Sequence, residues 1–356
     1  MQGWAESDAS AGLAAFRRSC EALAKLSDDA PLGGAGYAGT AGDWRSVCAT
    51  ADMPGGARAF FETNFVPYRV IAAGEGFFTG YYEPELKGSR TRHGPYQTPL
   101  YGVPSDLIGV DLGLFRENLR GQRLAGRVVD GRLVPYATRA EIAREGLPPA
   151  DELLYVDDPV DAFFLQVQGS GRVLLDDGSV VRAAYAGQNG HTYTAIGAVL
   201  VRWGELQLED VSMQSIRAWI AAHPERREEL FDNNASYVFF SAQALGDPNL
   251  GANGTQGVPL TPEASIAVDA TTHPLGAPMW LETMVPDAAP FRRLVVAQDT
   301  GGAIRGVVRA DIYWGFGARA GEIAGRMRST GSLTVLLPRG VAERLGAMAD
   351  FPGAVS

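Results

Sequence analysis

The stretch 297–315, A-Q-D-T-G-G-A-I-R-G-V-V-R-A-D-I-Y-W-G, sets two aspartates at or inside apolar, β-prone runs. These are Asp299 and Asp311, separated by a glycine turn at Gly301 and Gly302. A third, Asp269, ends a similar run, S-I-A-V-D. Aspartate is depleted in strands and is rarely buried without a partner. A chain carrying three of them this way must therefore fold so that each finds one. Two arrangements meet that demand. Strands can deliver the carboxylates to a common place, as a carbohydrate-cleaving site requires. Alternatively each aspartate opens a turn by bonding nearby backbone N–H groups, and for Asp299, followed by Thr300 and two glycines, the two readings are equally balanced.

A length of 356 residues suggests two domains or one large one. The 44 glycines and 21 prolines predict many tight turns, which fits a β-rich chain better than a helix bundle. A net charge of -10 leaves no basic stripe for nucleic acid and disfavours adhesion to anionic lipid by charge alone. No apolar run reaches membrane-spanning length. The start, M-Q-G-W-A-E-S-D, lacks the basic and apolar regions of a signal peptide, and F-R-R-S before Cys20 is not a lipoprotein cleavage site. The two cysteines, Cys20 and Cys48, cannot make a thiolate zinc site unaided. The four histidines (His93, His191, His223, His273) show no ligand spacing, so neither metal nor cofactor is expected. The cysteines form a disulfide if the protein is exported or remain buried thiols; the sequence leaves both open.

Along the chain, residues 10–26 space Leu13, Phe16, Cys20, Leu23 and Leu26 as a helix, with Ser10 as its N-cap. Two short helices follow, one with Trp44 and Cys48, the other over 57–65. Strands are expected over 68–72 and 77–82, where Tyr81 and Tyr82 belong to the core or form a sugar-stacking wall. The polar segment 87–104 reads as a crossing into a second unit. Thr138 and Glu141 make a capping box. Gln166 and Gln168 alternate with Leu165 and Val167 in an extended pattern, and Asp177-Gly178 joins a hairpin of 172–175 and 179–185. Gly169-Ser170-Gly171 lacks the context of a phosphate loop. Helices are expected over 192–206, 212–222 and 225–232, with a strand over 237–241 and a linker or exposed loop over 246–257. Short strands over 264–268, 279–284, 293–297, 307–314 and 332–337, with one helix over 318–327, suggest a compact barrel.

No G-x-S-x-G is present, and the cysteines lie where packing is the simplest role. Carboxylate acid–base chemistry on a polar, neutral substrate is what remains. Four blocks then carry a resemblance: F-F-T-G-Y-Y-E-P (77–84), F-L-Q-V-Q-G-S-G (164–171), Y-A-G-Q-N-G-H-T-Y (185–193) and the three-aspartate end. Together they resemble the membrane-bound lytic transglycosylase A family, MltA, from about residue 68 to 338. The Asp269, Asp299, Asp311 set resembles its 3D domain.

The resemblance implies a mainly β fold with helices: a double-psi β-barrel domain carrying an inserted, smaller β-rich domain, with the substrate groove between them. Residues 1–86 would supply N-terminal helices and the first part of the barrel, 87–250 the insert, and 251–356 the 3D domain. The implied reaction is non-hydrolytic cleavage of the β-1,4 MurNAc–GlcNAc bond of peptidoglycan, leaving 1,6-anhydro ends. A glycan hydrolase on the same barrel and a non-catalytic wall-binding module are the alternatives. By position Asp311 matches the family's catalytic aspartate, an acid that must stay protonated through burial or a nearby like charge. Asp299 would supply that charge or orient Asp311, and Asp269 would be structural. Thr79, Gly80, Tyr81, Tyr82, Gln168, Gly169, Ser170, Gln188 and Asn189 are expected along the glycan, with Gly301 and Gly302 allowing close approach. The expected partners are peptidoglycan strands, with no nucleic acid. The expected state is a monomer, periplasmic and associated with the outer membrane through a lipid anchor that this chain does not display.

Overall fold

The computed structural model describes residues 1–72, 74–119 and 122–349. The chain divides into two compact units. One comprises Met1–Tyr82, Asp247–Gly315 and Arg319–Ser356; the other comprises Glu83–Gly246 and Phe316–Ala318.

The first unit opens with helices α1 (Ser10–Leu23), α2 (Ala41–Thr50) and α3 (Ala57–Asn64). Ser10 does not cap α1: it is the first helical residue, Ala9 holds the cap position at φ 51°, and the Ser10 hydroxyl bonds the Asp8 side chain. Thr40 does cap α2, in a box with Asp43. Cys20 and Cys48 are joined as a disulfide, pinning α1 to α2. Around it Phe16, Trp44, Phe61 and Phe65 pack ring against ring in the core. Strands β1 (Phe65–Arg69) and β2 (Gly76–Glu83) follow.

In the second unit the strands are β3 (Glu85–Ser89), β4 (Thr98–Tyr101), β5 (Ile108–Asp111), β6 (Arg123–Val129), β7 (Arg132–Pro135), β8 (Glu152–Val156), β9 (Gly171–Leu175), β10 (Val180–Gln188) and β11 (Val238–Ala244). They form a six-stranded sheet, ordered β11-β10-β9-β3-β8-β4, and a three-stranded one, β5-β6-β7. Segment 87–104 therefore contributes β4 and most of β3 rather than a bare crossing. The helices are α4 (Arg139–Glu145), α5 (Pro159–Gln168), α6 (Ile196–Arg202), α7 (Met213–Ala222) and α8 (Arg227–Asp232). The capping box on α4 and the β9–β10 hairpin form as the sequence suggests. The extended reading of Leu165–Gln168 is corrected, because these residues are helical. Asp158 accepts from the Val160 N–H and Pro159 stands at the first helical position, the two start signals that a four-residue alternation cannot outweigh.

Back in the first unit come β12 (Ser265–Val268), β13 (Pro278–Met284), β14 (Pro290–Thr300), β15 (Arg309–Phe316), α9 (Gly317–Arg326), β16 (Arg328–Pro338) and α10 (Arg339–Ala349). The last helix was not legible in advance. The strand order is β1-β16-β13-β14-β12-β15-β2, and β16 also pairs with β2, which closes six strands into a barrel. The fold is thus mainly β with helices. β16 achieves the closure by length: residues 331–335 pair with β13, while 328–331 pair with β2 and 334–338 with β1. Closure pairs each of the six ring strands on both sides, leaving β1 on β16 as the sheet's edge strand.

Helix α1 seats directly on β14. Any side chain at Gly12 would meet the Leu294 carbonyl at 2.7 Å. Among the described residues no helix is long and apolar enough to cross a membrane.

The disulfide closes a loop between positions 28 apart. Removing it through Cys20→Ser with Cys48→Ser should cost about 2–4 kcal/mol of stability, read as a lower urea midpoint for the unit that contains it.

Candidate active site

The two aspartates 12 residues apart are delivered by β14 and β15, with β12 between them. Ala267 of β12 lies in register opposite Asp299 on one side and Asp311 on the other. Neighbours across a ladder share a face and adjacent strands run 4.7–4.9 Å apart, so the two backbones stand roughly 10 Å apart with one methyl group between. The β12–β14 pairing is parallel and shifts between Ile266 and Ala267, because Gln298 is an extra residue on β14. Such a bulge re-aims the side chain that follows it, here Asp299.

β2 supplies partners to both. Its alternate residues Phe77, Thr79 and Tyr81 share one face. The Thr79 hydroxyl donates to Asp311 Oδ1 and the Tyr81 hydroxyl donates to Asp299 Oδ2 at 3.1 Å. Phe77 lies under the Arg309 guanidinium, 5.1 Å from the ring centre. The opposite face packs. A side chain on Gly80 would meet the Trp314 indole nitrogen at 2.5 Å, and buried Tyr82 lies against Gly321 of α9.

Asp311 bonds Arg309 as an ion pair through the same Oδ1, and Arg309 Nη2 also donates to Thr79 Oγ1 at 2.9 Å. The Asp311 side chain keeps 20% of its surface exposed. The charged group bonded to Asp311 is therefore a cation, Arg309, where the sequence offered burial, a nearby like charge or a positioning role for Asp299.

Asp299 is differently placed. Its Oδ1 accepts from the Thr255 N–H and hydroxyl, both at 2.9 Å, and from the Thr300 N–H at 2.9 Å. Burial pushes its carboxyl above the ordinary value, against the downward pull of those donors and of Tyr81. The Tyr81 hydroxyl is itself held well above its usual range, by burial first and then by Asp299, and remains a proton donor. Its ring meets that of Tyr313 at 5.3 Å.

Asp269 serves the loop between the aspartate strands. Oδ2 accepts from the Gly306 N–H at 2.9 Å, and Oδ1 accepts from the Thr271 N–H and hydroxyl. Burial alone would raise its carboxyl, but these bonds and the nearby Arg305 outweigh it and hold it below the ordinary value. Gly301 carries the turn to Ile304, whose N–H reaches the Gly301 carbonyl at 3.0 Å, and space is open beside Gly302. Neither glycine has a positive φ.

The remaining expected residues lie in the other unit. Gln168 ends α5, and Gly169 caps it at φ 84°, with Ser170 next before β9. Gln188 ends β10 and is exposed. Asn189 is 1% exposed. Its amide donates to the Ala137 and Ala235 carbonyls and accepts from the Tyr237 N–H, so its bonding is internal.

Thr255, Arg309 and Tyr313 escaped the sequence reading. Arg309 had a usable signal: an arginine two residues before an aspartate in a strand shares its face. Thr255 had none, lying in the glycine- and asparagine-rich segment read as a linker. Among the described residues no group of three or more His, Cys, Asp or Glu is arranged to hold a metal ion.

Comparison with known proteins places this geometry. The model of the MltA specific insert domain matches residues 77–241, and that of the 3D domain matches 264–337. The chain is 37% identical over 267 residues to membrane-bound lytic murein transglycosylase A of Escherichia coli K12, over 73% of its own length. It spans about 65% of the length of that curated relative. A membrane-bound lytic murein transglycosylase structure from Agrobacterium tumefaciens superimposes with a TM-score of 0.85 at 33% identity, covering 97% of both chains. E. coli MltA with bound chitohexaose superimposes at 0.68 with 31% identity, over 92% of this chain and 90% of that one.

A depressed carboxyl contributes stability in full above the unfolded value, about 3.9, and loses it as pH falls through the folded value. Asp269→Asn should therefore lower the melting temperature at pH 7. The gap from the parent should narrow below about pH 4, as scanning calorimetry across pH 2–7 would record.

Proposed function

The chain belongs to the membrane-bound lytic murein transglycosylase A family, and on that premise we propose that it cleaves the β-1,4 MurNAc–GlcNAc bond of peptidoglycan without water, leaving 1,6-anhydroMurNAc ends. The observation that carries the reading is the unequal footing of the two aspartates. Both oxygens of Asp299 are engaged, whereas the contacts to Asp311 fall on Oδ1 of a side chain still open to solvent.

In this scheme Asp311 Oδ2 faces the glycosidic oxygen. Protonated, it donates its proton to that oxygen as the bond to C1 breaks. The carboxylate left behind is stabilised by Arg309 and Thr79. It then takes the proton of the sugar's own C6 hydroxyl as that oxygen closes on C1, so one carboxyl group serves as acid and then base. A hydrolase of this kind would need a second carboxylate to activate water or to form a covalent intermediate. Asp299 is bound by four donors and acts as a support: with Tyr81 it fixes the far side of the notch over Ala267. Thr79 and Tyr81 border the sugar, with Gly80 and Tyr82 behind them. Gly301 and Gly302 border it from the loop, and Gln168, Gly169, Ser170 and Gln188 form the insert's share of the glycan contacts, with buried Asn189 supporting Gln188 from within. The barrel is read as the double-psi type, Asp269 as structural, and the working location as the periplasmic face of the cell envelope.

The test is mass spectrometry of digested sacculi. The parent protein should release 1,6-anhydro ends. Asp311→Asn should lower that release by about 10²- to 10⁴-fold, the range expected for loss of an acid–base group, while still sedimenting with sacculi. Reducing ends would instead mean a hydrolase, and sedimentation without any release from the parent would mean a binding module.

A further inference from the structure

One buried histidine stands outside the scheme above. His273 is 2% exposed and lies four residues beyond Asp269. Its Nε2 is 2.6 Å from the Val307 carbonyl oxygen, and its Nδ1 is 2.8 Å from the Tyr37 hydroxyl. A carbonyl can only accept, so Nε2 carries the ring proton, and in the neutral ring Nδ1 accepts from Tyr37. Burial holds the imidazole below its usual value, against the opposing pull of the Val307 carbonyl and of Asp269.

The turn that carries His273 thus grips two successive residues of the 301–308 loop. Asp269 takes the Gly306 N–H, and His273 holds the Val307 carbonyl. The turn is itself closed by the Thr272 and His273 N–H groups on the Asp269 carbonyl, at 3.0 and 2.9 Å. The next residue is held as well, by the Phe77 N–H on the Val308 carbonyl at 2.9 Å. Arg309 follows at once, with Phe77 beneath it and Asp311 and Thr79 in its grasp. Gly306 sits at φ 120°, where a side chain would be strained. The loop cannot shift at Val307 without moving the start of β15.

We propose that His273 is a positioning residue for Asp311: its Nε2–H, oriented by Tyr37, fixes the Val307 carbonyl and with it the entry of the strand that carries the carboxyl group. The assignment rests on the transglycosylase reading for its catalytic consequence, but the anchoring itself can be read without any reaction. A shift of about 1 Å at a catalytic group can cost 10²-fold in rate. The effect should therefore fall on kcat and leave KM nearly unchanged.

The experiment compares His273→Asn, too short to reach Val307, with His273→Gln, whose amide N–H can reach it. Both are checked for native circular dichroism. With soluble glycan strands, His273→Asn should lose on the order of 10- to 100-fold in kcat with KM within about twofold, and His273→Gln should recover most of the loss. Amide hydrogen exchange, measured without substrate, should quicken over 306–311 in His273→Asn and not in His273→Gln. A folded His273→Asn with parental kcat, equal losses in both variants, or unchanged exchange over 306–311 would each overturn the proposal. A parent protein that makes no 1,6-anhydro ends would overturn the transglycosylase reading instead, and the exchange data would still decide the anchor.

Discussion

The direction in which Asp299 points depends on an amide buried beneath it. Gln298 is 0% exposed and is the extra residue that breaks the β12–β14 register. Its Nε2 donates to the Ala15 carbonyl and to Ser19 Oγ, each at 2.8 Å, and its Oε1 accepts from Ser265 Oγ. Helix α1, strand β12 and the bulge thus share one set of bonds. Leaving such an amide unpaired in the interior costs about 1–3 kcal/mol, so the bulge and the helix hold each other in place. The N-terminal helices, which match no diagnostic pattern in sequence, are in this sense part of the wall behind the site.

β2 makes the second link. Period-two alternation sends Phe77, Thr79 and Tyr81 to one face and Phe78, Gly80 and Tyr82 to the other. The first set meets Arg309, Asp311 and Asp299 in turn. In the second set Phe78 is buried, Gly80 lies against Trp314 and Ala324, and buried Tyr82 lies against Gly321 of α9. The block F-F-T-G-Y-Y is therefore two interleaved codes, one for packing and one for the carboxylates. Its small and aromatic residues become intelligible once the two are separated.

That separation also marks what could be read in advance. Period, turn chemistry and capping were legible wherever they were local and long enough: the hairpin at Asp177-Gly178, the box at Thr138, and the five C-terminal strands with the helix among them. The strand position of Asp311 was legible because charge in an apolar β run is costly, whereas the strand expected over 293–297 stopped short of Asp299, which β14 in fact carries. What could not be read was set by distant chain. Nothing near Thr255 announces that its N–H and hydroxyl will meet Asp299, and a bulge at Gln298 has no local signature. Ser10 and the Leu165–Gln168 segment were misread for the opposite reason. A plausible local signal was present, and the preceding residues decided the outcome: Ala9 takes the cap position before Ser10, and Asp158–Pro159 starts the helix before Leu165.

The closure of the barrel by β16 has a consequence for how the chain reaches this state. β2 ends at Glu83 and the next barrel strand begins at Ser265, so the early strands stay without their ring partners until the whole intervening unit has left the ribosome. The ring locks at residues 328–335, where β16 pairs with β2 and β13, after every other ring strand in sequence. Pairings of such long sequence separation are slow to form, and unpaired strand edges are sticky while they wait. Most of the insert is one stretch, Glu83–Gly246, completed by Phe316–Ala318, and that stretch is free to begin folding meanwhile. The ring that aligns the two aspartates therefore cannot close before β16 is made, and a chain truncated before Arg328 would hold both of them without it.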